Sequence, residues 1–281
     1  MSSAVLITPT HPENSGEAVQ AVVEAAKAAS FELVATADEC EKHGRAAEGI
    51  ERVAGLPERP DLCLVLGGDG SILYALRRYA GSGVPVFGIN FGTVGFLAAS
   101  EREQLQGGLQ RAFAGKFDVI ELPGLELAAE VRYPIALNDV TFARRPQGRV
   151  AELSYSVAGE EIGHVRCDGL VVATPAGSTG YNLANAGPIL AWGVEGFVVS
   201  FIAPHTLTAR ALVVAPGDVL CVANAAGREP VDVSLDGEQV ASLDPGGELE
   251  VRCREAMGTL AQLPGASFYH RIREKFGWLA G

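Results

Sequence analysis

Short apolar runs alternate with amphipathic stretches along the first third of the chain. Ala4–Thr8 is an apolar run that predicts a strand ending at Pro9. From Gly16 to Ala29, Val19, Val22, Val23 and Ala26 recur at helical spacing and predict one buried face. Phe31–Ala35 predicts a second strand, and Glu39–Ala54 a polar, weakly amphipathic helix. Leu62–Leu66 is apolar without interruption, the pattern of a strand buried on both faces. It runs into Gly67-Gly68-Asp69-Gly70 and then a helix from Ser71 to Tyr79. Val84–Ile89 repeats the buried-strand pattern, followed by a glycine-punctuated loop from Asn90 to Phe96 and a helix near Glu101–Ala114. Such alternation predicts a parallel sheet with helices packed on it.

Past about Lys116 the period changes to that of strands. Val119–Leu122, Glu126–Val131, Val140–Ala143, Leu153–Val157, Gly169–Thr174, Phe197–Ile202, Ala211–Val214, Val219–Ala223, Val231–Leu235 and Leu249–Cys253 all read as short strands. Ala158–Glu161 is a turn between two of them, and Asp236-Gly237 is a hairpin signal. A last helix, Ser267–Trp278, is expected to return to the first region. The expected architecture is an α/β, Rossmann-like N-terminal domain over residues 1–118, to which 264–281 return, and a β-rich, sandwich-like domain over 119–263.

Composition narrows the function classes. The 281 residues suit two domains at roughly 150 residues each. A net charge of −12 excludes a general affinity for nucleic acid or for an anionic membrane. Five scattered cysteines without a C-x-x-C pair read as buried thiols, and the five histidines lack metal-ligand spacing. No basic-then-apolar leader and no run of ~20 apolar residues is present, so a soluble, cytoplasmic protein is expected. Glycine is unusually frequent, 34 residues, which asks where the backbone must turn tightly or approach a ligand.

Gly67–Gly70 answers part of that question. It lies at the end of a buried strand, where open α/β sheets bind ligands, and before a helix whose free N–H groups attract phosphate. Asp69 would repel such an anion, so it suits a metal or a hydroxyl proton, unless the tetrapeptide is only a helix-capping turn. Neither G-x-G-x-x-G after a strand nor G-x-x-x-x-G-K-[ST] occurs. A second segment, Asp168 to Tyr181, ends a strand in small and hydroxylated residues. It can lie against a planar base or cap a short helix. Asn138-Asp139 sets an amide beside a carboxylate, suited to ribose hydroxyls and base edges or simply to a turn. Arg144, Arg145 and Arg149 flank Pro146-Gln147-Gly148, either a solvated basic tip or a clamp for phosphate or a second subunit.

Together, Gly67–Gly70, Asn90–Phe96, Asn138–Asp139, Asp168–Tyr181 and Pro204–Arg210 fall in the order and spacing of the NAD kinase family, which the chain resembles over nearly its whole length. The resemblance implies phosphoryl transfer from ATP, or in some members polyphosphate, to the 2′-hydroxyl of the adenosine ribose of NAD. It implies a divalent metal, Mg²⁺ first, and a homodimer or homotetramer. Asp69 takes the position of the general base, with Gly67, Gly68 and Gly70 beside it. Asn138 and Asp139 match positions that hold adenine and ribose. Arg166, Asp168, Thr179, Gly180, Tyr181, Asn182, Leu183, Ala184 and Ala203 match further NAD-contacting positions.

The chain departs from the family pattern at Ala176 and Gly180, in Ala184–Pro188, and at Ala211 in place of proline. Each hydroxyl missing at 176 and 184 removes a hydrogen bond worth ~0.5–1.5 kcal/mol, which bears on affinity and on NAD against NADH. Two alternatives follow: a lipid or sphingoid-base kinase sharing the GGDG loop, and an NAD-binding sensor without turnover. A serine hydrolase built on Ser178 with His164 or His205 is disfavoured because Ala176 breaks the G-x-S-x-G elbow.

Overall fold

The computed structural model describes residues 2–8, 15–92, 95–225 and 228–277. Thr93 and Val94 of the loop expected at 90–96, and Trp278 of the last helix, lie outside them. The chain forms two compact units, residues 1–121 with 258–281, and residues 122–257.

The first unit contains β1 (Ser2–Ile7), α1 (Gly16–Ala28), β2 (Phe31–Thr36), α2 (Ala37–His43), β3 (Glu51–Val53), β4 (Leu62–Leu66), α3 (Asp69–Arg78), β5 (Val86–Asn90), β6 (Ser100–Glu101) and α4 (Leu105–Phe113). Its parallel strands run in the order β3-β2-β1-β4-β5. Strand order therefore reverses between β1 and β4, the switch point at whose carboxyl ends such sheets bind ligands. Gly67–Gly70 directly follows β4 there. Every residue of β4 and of β5 is buried, as their unbroken apolar runs require. On α1, the buried Ala18, Val19, Ala21, Val22 and Ala26 form the expected stripe against the sheet.

The helix expected over Glu39–Ala54 is instead three elements. The α-helix α2 stops before Gly44, a 3₁₀ turn covers Gly44–Ala47, and Glu51–Val53 pairs in parallel with β2. The edge of the sheet supplies hydrogen bonds that outweigh the segment's local helical preference.

The second unit comprises most of β7 (Asp118–Leu127), then β8 (Ile135–Ala136), β9 (Asp139–Arg144), β10 (Ala151–Val157), β11 (Glu160–Cys167), β12 (Gly169–Ala173), the short α5 (Tyr181–Ala184), β13 (Phe197–Ile202), β14 (Leu212–Val214), β15 (Val219–Ala223), β16 (Val231–Leu235), β17 (Glu238–Leu243) and the first part of β18 (Glu248–Gln262). Six strands form an antiparallel sheet in the order β14-β13-β12-β9-β16-β17. A second antiparallel set runs β11-β10-β15-β18. One core joins these layers: Phe142, Leu170, Val172 and Phe197 from the first pack with Leu153, Leu220, Val222 and Val251 from the second. The two strands expected at 119–122 and 126–131 are instead the single β7, which ends at Leu127 and leaves 128–131 outside any strand, and β18 is three times the length expected at Leu249–Cys253. The end of β18 pairs with β5, after which α6 (Phe268–Phe276) completes the first unit.

Among the described residues no helix is long and apolar enough to cross a membrane. Cys40, Cys63 and Cys167 are buried free thiols, and burial raises the pKa of each.

Candidate active site

In the first unit, Gly67 continues the ladder of β4 by donating its N–H to Ile89 O at 2.9 Å. Gly68 is the N-cap of α3, Asp69 its first residue, and Gly70 is exposed beside it. The half-buried Asp69 carboxylate turns back onto the loop after β5. It accepts the N–H of Phe96 at 2.8 Å and of Leu97 at 3.0 Å, one on each oxygen. Gly95 makes that approach possible, because a Cβ there would lie 2.1 Å from Asp69 Oδ1. The start of the same loop is shaped by Asn90, whose Oδ1 accepts Gly92 N–H at 3.0 Å while its amide donates to Glu101 at 2.8 Å. A carboxylate oriented by two amides keeps lone pairs free and its charge stabilised. That arrangement can accept a hydroxyl proton as well as hold a helix start.

In the second unit, Asn138 and Asp139 sit on a turn gripped from two sides. On one side Asp236 accepts the N–H groups of Leu137 at 2.9 Å, Asn138 at 2.7 Å and Asp139 at 3.0 Å. On the other, Thr174 donates its N–H to Asn138 O at 2.9 Å and its hydroxyl to Leu137 O at 2.6 Å. Gly177 packs there so closely that a Cβ would stand 2.0 Å from Asn138 O. Asp139 is buried, with the Thr141 hydroxyl donating to it at 3.1 Å. Burial and the neighbouring Asp236 charge push its pKa up to about 6 against the Thr141 bond.

The 179–184 stretch follows that turn. Gly180, Tyr181 and Ala184 are exposed, Leu183 and Thr179 half-buried, and Thr179 donates its hydroxyl to Ala176 O at 3.2 Å. Asn182 is buried, its amide donating to Ser178 O and Pro188 O, both at 3.0 Å, so it holds the loop together from inside. Ser178 is equally buried, donating to Pro175 O at 2.7 Å and accepting the N–H of Leu190 at 2.9 Å. That is a structural hydroxyl, not an exposed nucleophile.

Arg166 and Asp168 line a different feature, a cavity of about 750 Å³. Five guanidiniums (Arg144, Arg145, Arg149, Arg166 and Arg228) and His205 face three carboxylates there, Glu152, Asp168 and Glu229. Its balance is thus positive in a chain of net charge −12. Arg144 and Asp168 pair in two-point fashion, at 2.7 and 3.2 Å, and that bond draws the Asp168 pKa down. Arg145 pairs with Asp232 at 3.0 Å and Arg166 with Glu152 at 3.2 Å. Of the three arginines around Pro146-Gln147-Gly148, Arg144 and Arg145 are thus tied into charge pairs. Arg166 O also accepts the N–H of His205 at 2.8 Å, beside the exposed Ala203.

Asp236 is the residue that motif reading did not bring into the site. Its positive φ of 49° marks the hairpin turn that Asp236-Gly237 signals, but its three amide partners lie nearly a hundred positions away.

A helix-start carboxylate at a sheet switch point, and an amide–carboxylate turn near exposed small residues, suit ligands rich in phosphate and hydroxyl groups. That places the chain among nucleotide-binding α/β proteins. The models of the ATP-NAD kinase N-terminal domain and C-terminal domain match residues 13–117 and 137–260. The NAD kinase of Symbiobacterium thermophilum is 38% identical over 78% of this chain and 81% of its own length. That of Gemmatimonas aurantiaca is 39% identical over 78% of each. In fold, the chain is similar to yeast NADH kinase complexed with NADH, with a TM-score of 0.88 at 21% identity, covering 100% of this chain and 89% of that one. An NAD kinase from Archaeoglobus fulgidus in complex with ATP superposes with a TM-score of 0.74 at 27% identity, covering 99% and 98%. The chain belongs to the ATP-NAD kinase family.

Proposed function

We propose that the chain is an NAD kinase that transfers the γ-phosphoryl group of ATP to the 2′-hydroxyl of the adenosine ribose of NAD, with Asp69 as proton acceptor. The observation that carries this reading is the Asp69 carboxylate, held at the start of α3 by the amides of Phe96 and Leu97 with Gly95 making room. Phosphoryl transfer has a loose transition state, so positioning and charge neutralisation do most of the work. A carboxylate is too weak a base to ionise a ribose hydroxyl in the ground state. Asp69 therefore orients that hydroxyl and takes its proton late, as the phosphorus–oxygen bond forms.

Gly68 and Gly70, at the free N–H end of α3, receive the donor phosphates, while the N–H of Gly67 is taken by Ile89 O and that glycine serves only to shape the turn. Asn138 and Asp139 read adenine and ribose, with Thr179, Gly180, Tyr181, Leu183 and Ala184 forming the surface beside the base and the buried Asn182 bracing that loop from within. Arg166 and Asp168 act at the arginine-lined cavity, where the positive balance suits a dinucleotide's phosphates, and Ala203 acts from the exposed turn just before the lining His205. In this reading residues 1–118 with 264–281 bind the donor, and 119–263 bind NAD.

No cluster of three or more metal-ligating side chains occurs among the described residues. The lone pairs left on Asp69 fit a cation carried mainly by phosphates, as Mg²⁺ commonly is. Bound so, Mg²⁺ would neutralise charge on the transferring group. A homodimer or homotetramer in the cytoplasm belongs to the same proposal. Family membership over both domains supports a dinucleotide acceptor over a lipid, and nothing in the geometry favours binding without turnover.

Incubating purified protein with NAD, Mg²⁺ and ATP, and detecting NADP with an NADP-specific dehydrogenase, tests the proposal. Polyphosphate, NADH and a sphingoid base run in parallel separate donor and acceptor. NADP formation is expected with ATP and NAD; none under any combination would overturn the proposal.

A further inference from the structure

The loop that presents its amides to Asp69 is held from its other side by the end of the chain. Gln262, the last residue of β18 and 1% exposed, donates its amide to Leu97 O at 2.8 Å. Arg271, on α6, donates to Ala98 O at 2.6 Å and also to Gln262 Oε1. Because a guanidinium only donates, its bond to Gln262 leaves the amide NH₂ of that residue aimed at Leu97 O. Phe96 packs against Phe268 and Phe276, at centroid distances of 6.2 and 5.9 Å, with Lys275 Nζ 4.6 Å from its ring centre. Three successive residues, 96 to 98, are thus fixed by α6 and the end of β18, while the N–H groups of the first two reach Asp69.

Arg271 is half-buried within a ring of carboxylates. Burial lowers its pKa, and the charges of Asp69, Glu101 and Glu274 oppose that shift. It therefore serves both as a bond donor to the loop and as a nearby positive charge for Asp69.

We propose that Arg271 is a positioning residue for Asp69: through Gln262 and the carbonyls of Leu97 and Ala98, it sets the two amides that aim the Asp69 carboxylate. The kinetic part of this proposal rests on Asp69 being the proton acceptor. The tether itself rests on the contacts alone. The loop between β5 and β6 has no ladder of its own across Phe96–Leu97, so side chains from the chain end supply the rigidity that secondary structure would otherwise give. A displacement of about 1 Å in a reacting group can cost ~100-fold in rate, so a loosened loop is read in kcat.

Arg271→Ala and Arg271→Lys in the full chain test this, with steady-state kinetics for both substrates and amide hydrogen exchange at Phe96 and Leu97. Arg271→Ala should lower kcat by about 10- to 100-fold, with both KM values within about twofold. Its exchange at the two amides should quicken, and added guanidinium ion should restore part of kcat. Arg271→Lys, which keeps one charged donor, should fall between it and the wild type; it also serves should the alanine variant fail to fold. A folded Arg271→Ala enzyme with wild-type kcat, or with unchanged exchange at Phe96 and Leu97, would overturn the proposal. An active Asp69→Asn enzyme alongside faster exchange in Arg271→Ala would instead strike at the role of Asp69 and leave the tether standing.

Discussion

The two units treat their key carboxylates in opposite ways. Asp69 is half-buried and has a backbone N–H on each oxygen. Asp139 is buried, receives the Thr141 hydroxyl, and faces a second carboxylate, Asp236, that has taken three backbone amides for itself. Burial and that neighbour push the Asp139 pKa up to about 6. The difference teaches that amide supply, more than residue type, decides which carboxylate is aimed. In one unit the amides serve the group proposed to do chemistry. In the other they serve Asp236, which shapes the turn, and Asp139 is left to titrate near neutrality.

Three substitutions would break or sharpen that contrast without changing Asp69 itself. Gly95→Ala should have the largest effect. Its Cβ would fall 2.1 Å from Asp69 Oδ1, displacing the carboxylate from its amides. Steady-state kinetics should show kcat down by about 100-fold with NAD affinity nearly unchanged. A wild-type kcat would mean that the amide cradle does not aim the group that matters.

Asp236→Asn comes next. The asparagine side chain places an NH₂ where a carboxylate oxygen met an N–H, so at least one of the three amides is left unpaired. Chemical denaturation should show a loss of about 1–3 kcal/mol, and the KM for NAD should rise several-fold with little change in kcat. An unchanged KM would remove Asp236 from the site.

The smallest effect concerns pH. Asp139 titrates at about 6 when folded and at about 4, the ordinary range for an aspartate, when unfolded. Between those values the folded state binds more protons, so this group's contribution to stability falls as pH rises from about 4 to about 6. It then stays at a penalty of about 3 kcal/mol. Asp139→Asn should flatten that part of a stability-against-pH curve. An equal slope in both proteins would show that Asp139 is not a raised carboxylate.

Much of the scaffold could be read before folding was considered. The unbroken apolar run Leu62–Leu66 and the strands Phe197–Ile202, Val219–Ala223 and Val231–Leu235 have the same bounds in the structure. Such runs and alternations are local, and burial enforces them. The segment Glu39–Ala54 was illegible for the opposite reason: its last part is a strand only because the edge of β2 is there to pair with it. The site divides along the same line. Gly67–Gly70 and Asn138–Asp139 stand out as motifs, yet what orients them comes from far along the chain. Phe96 lies 27 positions from Asp69, and Asp236 lies 98 from Asn138. A backbone amide carries no residue signature, so no motif can announce it. Asp236 is visible in sequence only as a turn residue, which it also is.

The central claim is that the amide-held Asp69 carries the chemistry while other groups bind NAD. Asp69→Asn tests it most directly, with NADP formation and NAD binding by calorimetry measured on the same folded preparation. Turnover should fall by at least ~100-fold, the lower range for loss of a general base, with the NAD dissociation constant within about twofold of wild type. A well-folded asparagine variant that still makes NADP at a comparable rate would contradict the account.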